Sequence, residues 1–138
     1  MIPLDAIEAR IEAEALASDP VTAADALLRL GEDVLAHWVA ARGETPTDES
    51  HEGFRLLALH RQGARGEPSF NACRETCREL AYHYNLIAME PGHPETAKRL
   101  RLMANVALHL FLFVTGKMQV AGLGEFCCAS RPLRAAGG

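Results

Sequence analysis

The sequence predicts an all-α protein: an antiparallel bundle of four main helices with a short helix ahead of them. Three observations predict it. Ala, Leu, Glu and Arg are plentiful while β-branched residues are scarce, which favours helix over strand. Apolar residues make up 49% of the 138, enough to bury a core in one domain. Long stretches carry those residues at a period near 3.6, most cleanly in the stretch 69–90.

Residues 3–17 form the first expected helix, with Leu4, Ile7 and Ile11 on one face and Pro3 suited to its first turn. It is short, acidic and terminal, so it is expected to dock weakly or to reach a neighbouring subunit. Ser18-Asp19-Pro20 breaks it. The second helix covers 20–42, capped by Asp19 with Pro20 at its first position or by Thr22, and stopped by Gly43. Its stripe is Ala24, Leu27, Leu28, Gly31, Val34, Leu35 and Trp38. Gly31 costs about 1 kcal/mol of helix propensity, tolerable where another backbone crosses closely.

The third helix is expected over 48–62, started by Thr47 or Asp48 and closed by a loop containing Gly63 and Gly66. The fourth, 69–90, carries Phe70, Cys73, Cys77, Leu80, Tyr84 and Ile87 at spacings of three and four, a packing seam. Ser69 is its expected N-cap, and Pro91 with a left-handed Gly92 its stop. The last helix, 94–120, places Pro94 at its first position and packs through Leu100, Met103, Ala107, Leu110 or Phe111, Val114 and Met118. Its other side is also apolar, which marks a rod at the centre of a bundle or at a subunit interface. The apolar run 106–114 falls short of the roughly 20 residues of a membrane span. One helical domain, 1–130, and a mobile tail, 131–138, are expected.

Net charge is −4, which argues against nucleic-acid binding. The charge is split: residues 1–50 hold 11 acids and 3 bases, the remainder 7 and 11. Halves of opposite sign can complement each other within a chain or between copies, and with the apolar last helix they favour a homodimer. The opening MIPLDAIEARIEAE lacks the apolar core of a secretory signal, so the four cysteines read as reduced thiols in a cytoplasm.

No nucleotide-binding glycine motif or C-x-x-C pair occurs, no Glu-x-x-His pair lies within an expected helix, and no cofactor is expected. Four weaker constellations remain. Cys73 and Cys77 are one helical turn apart, with His83 further on as base or ligand and Glu79 to orient it, the ingredients of a thiol site. Against disulfide chemistry stands the parallel aim of two side chains inside one helix. Asp33 with His37 and Glu79 with His83 are i,i+4 pairs that could together offer four metal ligands. Arg74 and Arg99 could hold an anion. Cys127 and Cys128 could complete a four-thiolate set with the first two cysteines. His109, on the most apolar helix, is the histidine expected to be buried beside a carbonyl or Asn105. The function expected is that of an interaction or regulatory protein acting as a dimer or on another protein. The alternative is a small thiol- or metal-dependent protein built around Cys73, Cys77 and His83.

Overall fold

A computed structural model describes residues 1–123, so the expected tail 131–138 and the Cys127-Cys128 pair lie outside the described residues. Among these residues the protein is all-α, with five α-helices and no strand: α1 Leu4–Glu14, α2 Pro20–Ala41, α3 Arg55–Ala64, α4 Arg74–Met89 and α5 Thr96–Val120. A 3-10 turn, Pro68–Cys73, leads directly into α4. Helices α2 and α5 are the two long rods, and α5 packs on α1, α2 and α4.

The stripes predicted for the long rods are buried residue for residue. On α2 these are Ala24, Leu27, Leu28, Gly31, Val34, Leu35 and Trp38; on α5 they are Leu100, Met103, Ala107, Leu110, Phe111, Val114 and Met118. Asp19 caps α2, its carboxylate accepting from the Thr22 backbone and hydroxyl at 3.5 and 2.7 Å. By length and composition α5 could cross a membrane, yet its buried stripe is taken up by the other helices. The first helix docks firmly: Ile7 and Ile11 are fully buried. Its anchor is polar. The Ile2 amide donates to Asp33 at 2.9 Å, and His37 Nε2 meets the Ile2 carbonyl at 2.7 Å.

Several boundaries differ from expectation. The third helix starts at Arg55, not at 48. Ahead of it, residues 44–50 run without regular structure because side chains hold their backbone. Gln62 bridges the Thr45 carbonyl and the Thr47 amide at 2.8 and 2.9 Å, and Arg55 Nε donates to the Thr47 carbonyl at 2.8 Å. Then Glu52 and Gly53 both take positive φ, 54° and 86°, so that His51 and Phe54 exchange two backbone hydrogen bonds of 3.0 Å around a tight turn. Such a turn requires left-handed geometry at both central residues. The stretch 69–90 is likewise not one helix. Ser69 does not cap it; its hydroxyl donates to Glu67, and α4 proper begins after Cys73. Gly92 is not left-handed, and α5 starts at Thr96 behind Glu95, leaving Pro94 outside. What comes close to Gly31 is not a backbone but three leucines: a Cβ there would lie 2.6 Å from Leu80 and 3.2 Å from Leu56.

Phe70 joins the elements. Its ring stacks on Trp38 at 4.7 Å and 6°, on His60 at 5.5 Å, and leans on Phe113 at 6.1 Å. Trp38 Nε1 donates to the Gly63 carbonyl at 2.9 Å, as does Arg42, whose guanidinium lies 5.3 Å above the Trp38 ring. Gly63 has no room for a side chain, since a Cβ would meet Trp38 at 2.8 Å. Lys117 of α5 binds Glu67 at 3.3 Å and Ser69, which ties down the outer side of the 3-10 turn.

Candidate functional site

Helices α3 and α4 face each other across a cavity of about 480 Å3. Four arginines line it, two from each side: Arg61 of α3 with Arg65 just past its end, and Arg74 and Arg78 of α4. His51, His60 and Asn71 complete its polar lining. The tight turn at 51–54 sets one edge, because Glu52 accepts from Arg78 at 3.1 Å and so holds the turn against α4. Arg65 reaches Glu44 at 3.5 Å. Arg61 meets no carboxylate and instead approaches His51 Nδ1 at 2.8 Å; among the described residues Arg74 has no acidic partner. The cavity therefore keeps an excess of positive charge on a chain whose net charge is −4.

Beside the cavity-lining Arg74 in sequence stands the first of two cysteines. Cys73 is the cap residue of α4, with φ −99° and ψ 10°, so it stands at the junction of two helix types rather than inside a regular helix. Cys77 is one turn on, and both thiols are free and buried. The Cys73 sulfur lies 3.3 Å from the Phe70 carbonyl, which also faces His60 Nε2 at 3.2 Å. The hydrogen bond from Cys77, aided by the neighbouring His60, draws the Cys73 thiol down to about 6 from the usual 9.0 against the opposing effect of burial. The same bond, together with burial, pushes Cys77 up. The α4 N-terminus adds its positive end at Cys73, the usual setting of an activated thiol.

The imidazole of this pair is His60 of α3, 13 residues before Cys73, and not His83. His83 lies in a separate groove of about 250 Å3 between α4 and α5, with Thr76, Glu79, Asn105 and His109. Burial lowers its pKa, with Glu79 opposing, and its Nδ1 is buried without a partner. Asp33 and His37 hold the Ile2 backbone on α2, so the two carboxylate-histidine pairs are not brought together. Among the described residues no group of three or more His, Cys, Asp or Glu side chains is arranged to hold a metal. Arg74 lies in the arginine cavity, but Arg99 does not; it pairs with Glu90 at 3.3 Å, where α4 gives way to α5. The buried histidine is His60, whereas His109 is exposed, as is Asn105. The α5 stripe runs through 107, 110, 111 and 114, and residue 109 falls on the opposite side of the turn.

Sequence reasoning noticed Arg74 and Arg78 but not their counterparts. The signal was present as Arg61-x-x-x-Arg65, the same spacing across the end of the preceding helix. It could not be used without knowing that α3 faces α4. No known protein family, curated protein or solved structure gives a significant match to this chain.

Proposed function

We propose that the protein binds a small, multiply charged anion, of the phosphorylated or polycarboxylated kind, in the cavity between α3 and α4. One observation carries this reading: four arginines line one concave surface between α3 and α4, two of them without a carboxylate partner among the described residues. Like charges held this close repel, and an anion relieves that repulsion while accepting charge-assisted, bidentate hydrogen bonds. Arg61 and Arg74 are the primary anchors, being the least compensated. Arg65 and Arg78 are pre-oriented by Glu44 and Glu52.

The test is titration calorimetry with pyrophosphate and with citrate as probes, at low and at high salt. At least one probe is expected to bind, more weakly as salt rises. The double variant Arg61→Ala/Arg74→Ala is expected to lose at least about tenfold in affinity, or about 1.4 kcal/mol. Both side chains are exposed, so the thermal melt of the variant should match the parent. No binding of either probe at millimolar concentration, or equal affinity in the double variant, refutes the reading.

A second reading concerns a second copy of the chain. Support comes from α5, where Leu102 and Leu112 stand on the solvent side, with Tyr82 of α4 also exposed. An isologous dimer would cover them. Light scattering at micromolar concentration should give twice the chain mass, and Leu102→Glu/Leu112→Glu should give the monomer. A monomeric parent removes this reading and leaves the anion site untouched.

A further inference from the structure

We propose that Cys73 and Cys77 form a reversible dithiol–disulfide pair that reduces a hydroperoxide, with His60 as its proton carrier. The inference does not rest on the anion reading. It rests on three placements.

The first is the boundary position of Cys73. Two cysteines inside one regular helix aim their side chains in parallel, which opposes a bond between them. Here only Cys77 is inside; Cys73 caps α4 at the end of the 3-10 turn. One helical turn rises about 5.4 Å, and disulfides span Cα separations of about 4.4–6.8 Å. Both sulfurs are free and buried. The change from 3-10 to α geometry at Cys73 takes its side chain out of the regular α register that holds Cys77.

The second is His60. It is buried, stacked on Phe70 and part of the cavity lining, and its Nε2 and the Cys73 sulfur face the same Phe70 carbonyl at 3.2 and 3.3 Å. With Nε2 donating to that carbonyl, Nδ1 is the nitrogen that can take a proton and return it to a leaving group. The third is access. Cys73 lies between Asn71 and Arg74 in sequence, both of them cavity-lining, and the cavity-lining His60 faces the same carbonyl as its sulfur. Asn71 and Ala72 of the 3-10 turn are exposed. A small hydroperoxide enters by way of that cavity.

The chemistry balances without a metal or a bound cofactor. The Cys73 thiolate attacks the terminal oxygen of the hydroperoxide. The O–O bond breaks, the alcohol (or water) leaves with the proton from His60, and Cys73 becomes a sulfenic acid. The Cys77 sulfur then attacks the Cys73 sulfur, the S–O bond breaks, and water leaves with the Cys77 proton. Two thiols are oxidised by two electrons and one hydroperoxide is reduced. An external dithiol restores the pair by thiol–disulfide exchange.

The experiment treats the reduced wild-type protein with one equivalent of hydrogen peroxide, blocks residual thiols and digests with trypsin. Cleavage after Arg65, Arg74 and Arg78 leaves Cys73 on peptide 66–74 and Cys77 on peptide 75–78, while Cys127 and Cys128 share a third peptide. The expected result is a disulfide joining 66–74 to 75–78, formed at least about tenfold faster than free cysteine oxidises at the same pH, as expected where the thiolate fraction is larger. Cys77→Ser should instead accumulate a sulfenic acid on Cys73, trapped by dimedone, and His60→Gln should slow the first step. Four thiols that resist peroxide, a disulfide that forms only between 127 and 128, or a rate equal to that of free cysteine would each overturn the proposal. The wild-type digest decides without any variant having to fold.

Discussion

Trp38→Ala is expected to cost about 3–5 kcal/mol, much of the 5–15 kcal/mol by which a domain of this size is stable. The indole is fully buried and fills the space between α2, α3 and the 3-10 turn. Its loss removes the stack on Phe70 at 4.7 Å, and Phe70 in turn supports His60. The hydrogen bond from the indole N–H is the smaller part. The Gly63 carbonyl would keep its bond from Arg42 at 2.9 Å, so no acceptor is left bare. Trp38→Phe, which keeps an aromatic ring in place, should therefore lose only about 1–2 kcal/mol. Urea unfolding followed by far-UV circular dichroism measures both. A loss below about 1 kcal/mol for the alanine variant would mean that the cavity collapses and the stack organises nothing.

Arg29→Met/Arg55→Met should be nearly as severe, for an electrostatic reason. Glu32 sits on α2 with its side chain only 4% exposed, held by Arg29 at 2.8 Å and Arg55 at 3.6 Å. Both arginines reach solvent, so it is the carboxylate that the core has desolvated. Removing its partners leaves a buried charge unpaired, at a cost of about 3–5 kcal/mol. Arg55 also holds the Thr47 carbonyl, and part of the loss will come from residues 44–50 coming free. Adding Glu32→Leu separates the two parts. It should recover most of the loss, since replacing a whole buried ion cluster by apolar groups is often neutral or better. If the triple variant is no more stable than the double, the charge is not the cause and the anchoring of the 44–50 segment is.

The same two examples mark where reading a sequence succeeds and where it stops. Trp38 was legible as a core residue because it closes a stripe of period 3.6 on α2, and the α5 stripe was legible for the same reason. A long helix that buries one face must repeat its apolar residues at helical spacing. Glu32 was not legible, because nothing in the order of residues says that a glutamate near such a stripe will be covered. It is covered because α3 brings Arg55 across. His60 and His109 were misjudged by the same limit. Local apolar density suggested that His109 is buried, whereas burial follows the angular position on the helix and the approach of a neighbour. The Glu52-Gly53 turn was missed because its left-handed geometry at Glu52 is an uncommon use of that residue, stabilised by Arg78 from another helix.

What the sequence by itself determined is the secondary-structure class, the two long rods and their buried faces, and the pairing of Cys73 with Cys77 on one side of the chain. These follow from helix propensity and from a period that acts over one or two turns. Only the tertiary structure decided which histidine meets the thiols, that Arg74 and Arg78 face Arg61 and Arg65 while Arg99 lies elsewhere, and that Cys73 sits at a helix boundary. Those outcomes depend on which helices become neighbours and at what height they meet. Contacts between residues far apart in the chain set that, and no local pattern encodes it.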